Sequence, residues 1–78
     1  MDLDEIERLL RETVAVAELE LAADGNRLMV KLVSDDFDGL NRVKRQQLLY
    51  GALNELIASG EVHAVTMQTQ TPAEAAGE

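Results

Sequence analysis

The Asp24-Gly25 pair, set between two stretches of alternating apolar and polar residues, constrains this chain more than any other feature. A tight two-residue hairpin turn needs positive φ at its centre, which glycine adopts without a steric penalty. The pair therefore predicts a β-hairpin over Val14–Val33. With Asp24-Gly25 as the turn, Leu21 faces Leu28, Leu19 faces Val30 and Ala17 faces Leu32, while Glu18 faces Lys31 on the other side. Taking Gly25-Asn26 as the turn shifts the pairing but keeps every side chain on its face, because the shift is by an even number of residues.

Helical periodicity flanks the hairpin. Asp2–Thr13 carries Leu3, Ile6 and Leu10 at helical spacing, and Asp2 and Glu5 have the spacing of a capping box. A second helix is predicted from about Asn41 to Ser59, with Gly60 as its stop and Leu49, Ala52, Leu53, Leu56 and Ile57 as its core stripe. Between hairpin and helix, Ser34–Gly39 reads as a polar connection holding one aromatic, Phe37. Val62–Thr69 reads as a third strand with Val65 and Met67 on one face and Ala64 on the other. Thr71-Pro72-Ala73-Glu74 forms a capping box with proline at the first helical position, and the tail that follows is expected to fray. The simplest burial scheme is an α+β sandwich of two layers, with helices on one face of a three-stranded sheet, in a single domain over 1–78.

Composition narrows the function. The chain has 78 residues and no cysteine, so neither a disulfide nor a thiolate metal site supports it, and a hydrophobic core drawn from 46% apolar residues must. No apolar run reaches membrane-spanning length, and the N-terminus MDLDEIE is acidic where a signal peptide is basic, which predicts a cytoplasmic protein with no membrane partner. One histidine, one tyrosine and no nucleophile-elbow context argue against an enzyme and against a small-molecule substrate. The formal net charge of −8 opposes general binding to phosphate backbones.

Two features stand out against that background. Arg42, Lys44 and Arg45 form a basic cluster in the first turns of the long helix, where the macrodipole disfavours cations. If the helix is continuous, Arg42 and Arg45 lie nearly in line with Leu49 and Leu56, so either the helix overhangs the core edge or a break precedes Gln46. The cluster reads either as a solvated helix start paired with Asp35, Asp36 and Asp38, or as a site for an anion or an acidic partner. The second feature is His63, at the start of the third strand. It reads as an ordinary strand histidine satisfied by a backbone carbonyl, or as a ligand. One imidazole cannot build a zinc or iron site, so a metal there needs ligands from another chain.

The stretch FDGLNRVKRQQLLYGALNELIASGEVHAVTMQTQTPAE resembles the BolA family, and is most similar to its IbaG-like (YrbA) branch. The matching elements are the FDG turn, RVKRQQ, the helical Tyr50, VHA and a strand ending in TP, and the hairpin and leading helix also fit. The resemblance implies a fold similar to a class II KH domain, in helix–strand–strand–helix–helix–strand order with a short C-terminal helix and a three-stranded mixed sheet. It also implies a non-enzymatic adaptor that pairs with a monothiol glutaredoxin. In such pairs a 2Fe–2S cluster is shared, with glutaredoxin and glutathione supplying thiolates and the BolA-like chain an imidazole.

The family's histidine falls on His63, and the basic cluster of Arg42, Lys44 and Arg45 is read as the surface that meets the partner. A second ligand is often carried in or after the hairpin loop, where a related branch reads DGSHF. Here Arg27 stands at that histidine, and a guanidinium does not ligate iron. Gln70 and Ala75 stand where the family commonly has Tyr and Trp. The alternative reading is a nucleic-acid-binding transcriptional regulator whose Arg42, Lys44 and Arg45 contact DNA phosphates. The chain has no GxxG loop, on which a KH clamp for RNA depends.

Overall fold

The computed structural model describes residues 1–77. It is a mixed α+β fold: α1 (Leu3–Thr13), β1 (Glu18–Asp24), β2 (Arg27–Val33), a 3₁₀ turn (Asp35–Phe37), α2 (Arg42–Ser59), β3 (Ala64–Gln70) and α3 (Pro72–Ala75). The strands lie in the order β1-β2-β3, with β1 antiparallel and β3 parallel to β2. Both long helices cover one face, as the predicted two-layer sandwich requires. The second helix of the family order, before α2, is here a single 3₁₀ turn.

The helix boundaries follow from their caps. Asp2 accepts from the Glu5 N–H at the start of α1, and Asn41 accepts from the Lys44 N–H at the start of α2. Gly60 ends α2 at φ +83°, the left-handed conformation in which a side chain would be strained. The helix is continuous from Arg42, so no break precedes Gln46. The core joins Ile6 and Leu10 of α1, Leu28, Val30 and Leu32 of β2, Leu49 and Leu53 of α2, and Phe37 and Val62 from the connections. Ala52, Leu56 and Ile57 pack against it at the margin, as do Val65 and Met67.

Two expectations need correction. The hairpin closes through Gly25-Asn26 rather than Asp24-Gly25: Leu21 pairs with Val30, Leu19 with Leu32 and Glu20, not Glu18, with Lys31. Gly25 has φ +62° and Asn26 does not have positive φ, the pattern of a turn that demands glycine only at its first central position. The shift is even, so the inward faces are those expected. The third strand starts at Ala64, leaving Val62 and His63 in the connection. Pro72–Ala75 forms the short last helix, α3, behind a complete Thr71–Glu74 capping box, and Glu74 is tied to α2 through Arg45.

Candidate functional site

His63 is exposed, but the backbone that carries it is held on both sides. Val62 is fully buried and its N–H donates to Leu56 O at 3.2 Å, which fixes the connection against the last turns of α2. The His63 N–H donates to Asn26 O at 2.8 Å, which ties the next residue to the hairpin loop. The imidazole itself makes no hydrogen bond within the chain among the described residues. It lies beside the C-cap of α2, where a Cβ added to Gly60 would sit 3.5 Å from Nε2. A strand histidine satisfied by a carbonyl is therefore not what the fold contains.

Arg27 opens β2 in register with Ala64, so its guanidinium belongs to the same end of the sheet as His63. Among the described residues no three His, Cys, Asp or Glu side chains gather so as to hold a metal ion. The donor set that this chain offers a 2Fe–2S cluster is one imidazole. That suits a cluster held mainly from another chain and does not suit one bound by this chain alone.

The basic cluster divides. Arg42 and Lys44 are exposed, and among the described residues neither forms an ion pair. Arg45 turns inward, with its side chain only 11% exposed. Its Nε donates to Leu40 O at 2.9 Å, and Nη1 to Thr69 O at 3.3 Å. Nη1 and Nη2 also grip the Glu74 carboxylate at 2.6 and 3.2 Å, and the guanidinium carbon lies 5.7 Å from the centre of the buried Phe37 ring. The partner carboxylate is thus Glu74, not Asp35, Asp36 or Asp38. Asp36 is otherwise engaged, accepting from the Ala15 N–H at 2.8 Å.

Glu74 serves two structures at once. Its Oε1 accepts from the Thr71 N–H, closing the capping box, while both oxygens accept from Arg45. The Arg45 hydrogen bonds, with the Thr71 N–H second, hold its carboxyl at a pKa of about 2. The same contact raises Arg45 further above its ordinary range, against the opposing effect of burial. The sequence carried a signal for this clasp in two places: an arginine in line with the core stripe needs a buried partner, and a capping-box glutamate is aimed back at its own helix start. Joining them required the tertiary fold.

A family model described as BolA-like protein matches residues 10–74. Acid stress protein IbaG of Escherichia coli K12 is 41% identical over 74 residues, spanning 95% of this chain and 88% of that protein. Among solved structures, BolA1 from Arabidopsis thaliana superposes with a TM-score of 0.82 at 32% identity, covering 91% of this chain and 92% of the other. The BolA domain of SufE1 from the same plant gives 0.83 at 30% identity, with the same coverage.

Proposed function

The chain belongs to the BolA family, and from that premise we propose that it is a non-enzymatic adaptor that pairs with a monothiol glutaredoxin and shares a 2Fe–2S cluster through His63, in iron–sulfur trafficking or iron sensing. One observation carries the reading: the chain's single histidine is exposed, its imidazole has no hydrogen-bond partner among the described residues, and it stands on backbone pinned to both α2 and the hairpin loop. A fixed backbone with a free imidazole is what a ligand to a group held elsewhere requires. The cluster supplies electron-transfer capacity and exchangeable iron and sulfide. The chain's contribution is one neutral nitrogen donor, Arg27 beside it being unable to ligate. Arg42 and Lys44, exposed at the start of α2 beside the anchored Arg45, are assigned to the acidic surface of the partner.

The nucleic-acid reading is less well supported. Arg45, one of its three phosphate contacts, already spends its donors on Leu40, Thr69 and Glu74, and the net charge is −8.

Anaerobic mixing with a monothiol glutaredoxin carrying its cluster, followed by visible absorption and circular dichroism, tests the proposal. The mixture is expected to develop a spectrum distinct from that of the glutaredoxin cluster alone. Reconstitution of the isolated chain is expected to leave no stoichiometric iron and sulfide. A stable cluster on the isolated chain, or an unchanged glutaredoxin spectrum in the mixture, would overturn it.

A further inference from the structure

β3 lies at one edge of the sheet, and two contacts establish which of its backbone groups face outward. Gln70 O accepts from the Ser34 N–H at 2.9 Å, so the even-numbered residues of β3 turn their N–H and C=O toward β2. Val65, Met67 and Thr69 then turn theirs to the free side. Arg45 gives the same sense independently, because it reaches Thr69 O from outside the sheet.

Exposed edges are usually blunted by charged residues, proline or a bulge. The opposite edge, β1, carries Glu18, Glu20 and Asp24. β3 reads AVTMQTQ, with no charge and no proline, and pairs with β2 in unbroken register from Ala64 to Gln70. Beside its C-terminal half lies a groove of about 500 Å³ lined by Met67–Gln70, Arg42, Arg45 and Glu74. Glu74 satisfies Arg45, and among the described residues Arg42 has no carboxylate partner.

We propose that the free edge of β3 is a docking strand for an extended, carboxylate-bearing segment of another protein, which adds to the sheet as a fourth strand and sets an acidic side chain against Arg42. Main-chain hydrogen bonds to Val65, Met67 and the Thr69 N–H (the Thr69 carbonyl already accepts from Arg45) supply the register-independent part of the affinity, and the Arg42 guanidinium in the groove supplies the preference for acid. A second copy of this chain, added β3 to β3, fits poorly, since β3 itself offers Arg42 no carboxylate. Nucleic acid fits poorly because a phosphate backbone offers acceptors and no donors, and so cannot satisfy alternating amide and carbonyl groups. The edge begins one residue after His63, so a docked segment passes close to the imidazole. The inference rests on the edge and groove alone, so it stands or falls separately from the iron–sulfur reading.

The test uses the whole chain, ¹⁵N-labelled, and an acetylated, amidated octapeptide of alternating valine and glutamate. Amide exchange at saturating peptide is expected to slow about tenfold or more at Val65, Met67 and Thr69, with little change at Thr66 and Gln68, which already bond to β2. Arg42→Glu, or glutamine in place of the peptide's glutamates, is expected to weaken binding by about fivefold. The same peptide N-methylated at every peptide bond is expected not to bind. Equal binding of the N-methylated peptide, or protection confined to other elements, would overturn the proposal. So would protection that appears without peptide and grows with chain concentration, which assigns the edge to a second copy. Protection by single-stranded oligothymidylate but not by the peptide would assign it to nucleic acid.

Discussion

Arg45 and Arg42 stand three residues apart on one helix, and replacing each with methionine separates a structural cation from a solvated one. Arg45→Met removes a charge-assisted hydrogen bond to Leu40 O at 2.9 Å in a nearly buried setting, a contribution of about 1.5 kcal/mol. The longer contact to Thr69 O, at 3.3 Å, contributes about 0.5 kcal/mol. The guanidinium over Phe37, at 5.7 Å, contributes about 0.5 kcal/mol more. Methionine keeps most of the aliphatic stem, so little packing is lost. The Glu74 carboxylate is half exposed and adds stabilisation in the same direction, reduced by solvent screening. The expected loss is about 2.5 kcal/mol, which in a domain of this size lowers Tm by about 10–20 °C. Arg42 is exposed and has no ion pair among the described residues, so Arg42→Met is expected to change stability by no more than about 0.5 kcal/mol. Thermal unfolding followed by far-ultraviolet circular dichroism measures both. If the two variants melt within a few degrees of each other, Arg45 is a solvated charge and the clasp contributes nothing.

The pH dependence of the clasp has a definite sign. Because folding lowers the Glu74 pKa to about 2, its contribution is full above the unfolded value of about 4.3 and is lost as pH falls through about 2. The Tm difference between the wild type and Glu74→Gln should therefore be constant above about pH 5 and shrink between pH 4 and 2; a difference independent of pH refutes the pairing. Gly51 is exposed inside α2 with open space where a Cβ would go, so Gly51→Ala should stabilise by about 0.5–1 kcal/mol in urea denaturation. Gly25→Ala, at φ +62°, should instead destabilise by about 1 kcal/mol in the same assay.

Much of this fold was legible because its signals are local. The caps at Asp2 and Thr71, the stop at Gly60 and the alternation through β1 and β2 each depend on residues within one or two turns of chain. The turn of the hairpin was misplaced because Asp24-Gly25 and Gly25-Asn26 are both good turn pairs, and the inward faces are identical in either register. The destination of the Arg45 side chain was not legible in the same way. Three aspartates lie close to it in sequence, whereas Glu74 lies 29 residues away and reaches it only after β3 has paired with β2. His63 was legible as a single imidazole, but its exposure and the pinning of its backbone depend on contacts to Leu56 and Asn26 that no periodicity predicts.

In the proposed role, His63 serves a group held by another chain rather than the fold. The most direct measurement pairs the Tm of apo His63→Ala with the visible circular dichroism of that variant mixed with cluster-loaded monothiol glutaredoxin. The side chain is exposed and makes no hydrogen bond among the described residues, so the apo variant should lie within about 0.5 kcal/mol of wild type. The mixed complex should lose the spectrum that distinguishes it from glutaredoxin alone, because histidine ligation alters the electronic asymmetry of a 2Fe–2S centre. A drop in apo stability of about 2 kcal/mol or more, with the mixed-complex spectrum unchanged, would contradict the account and make His63 a structural residue.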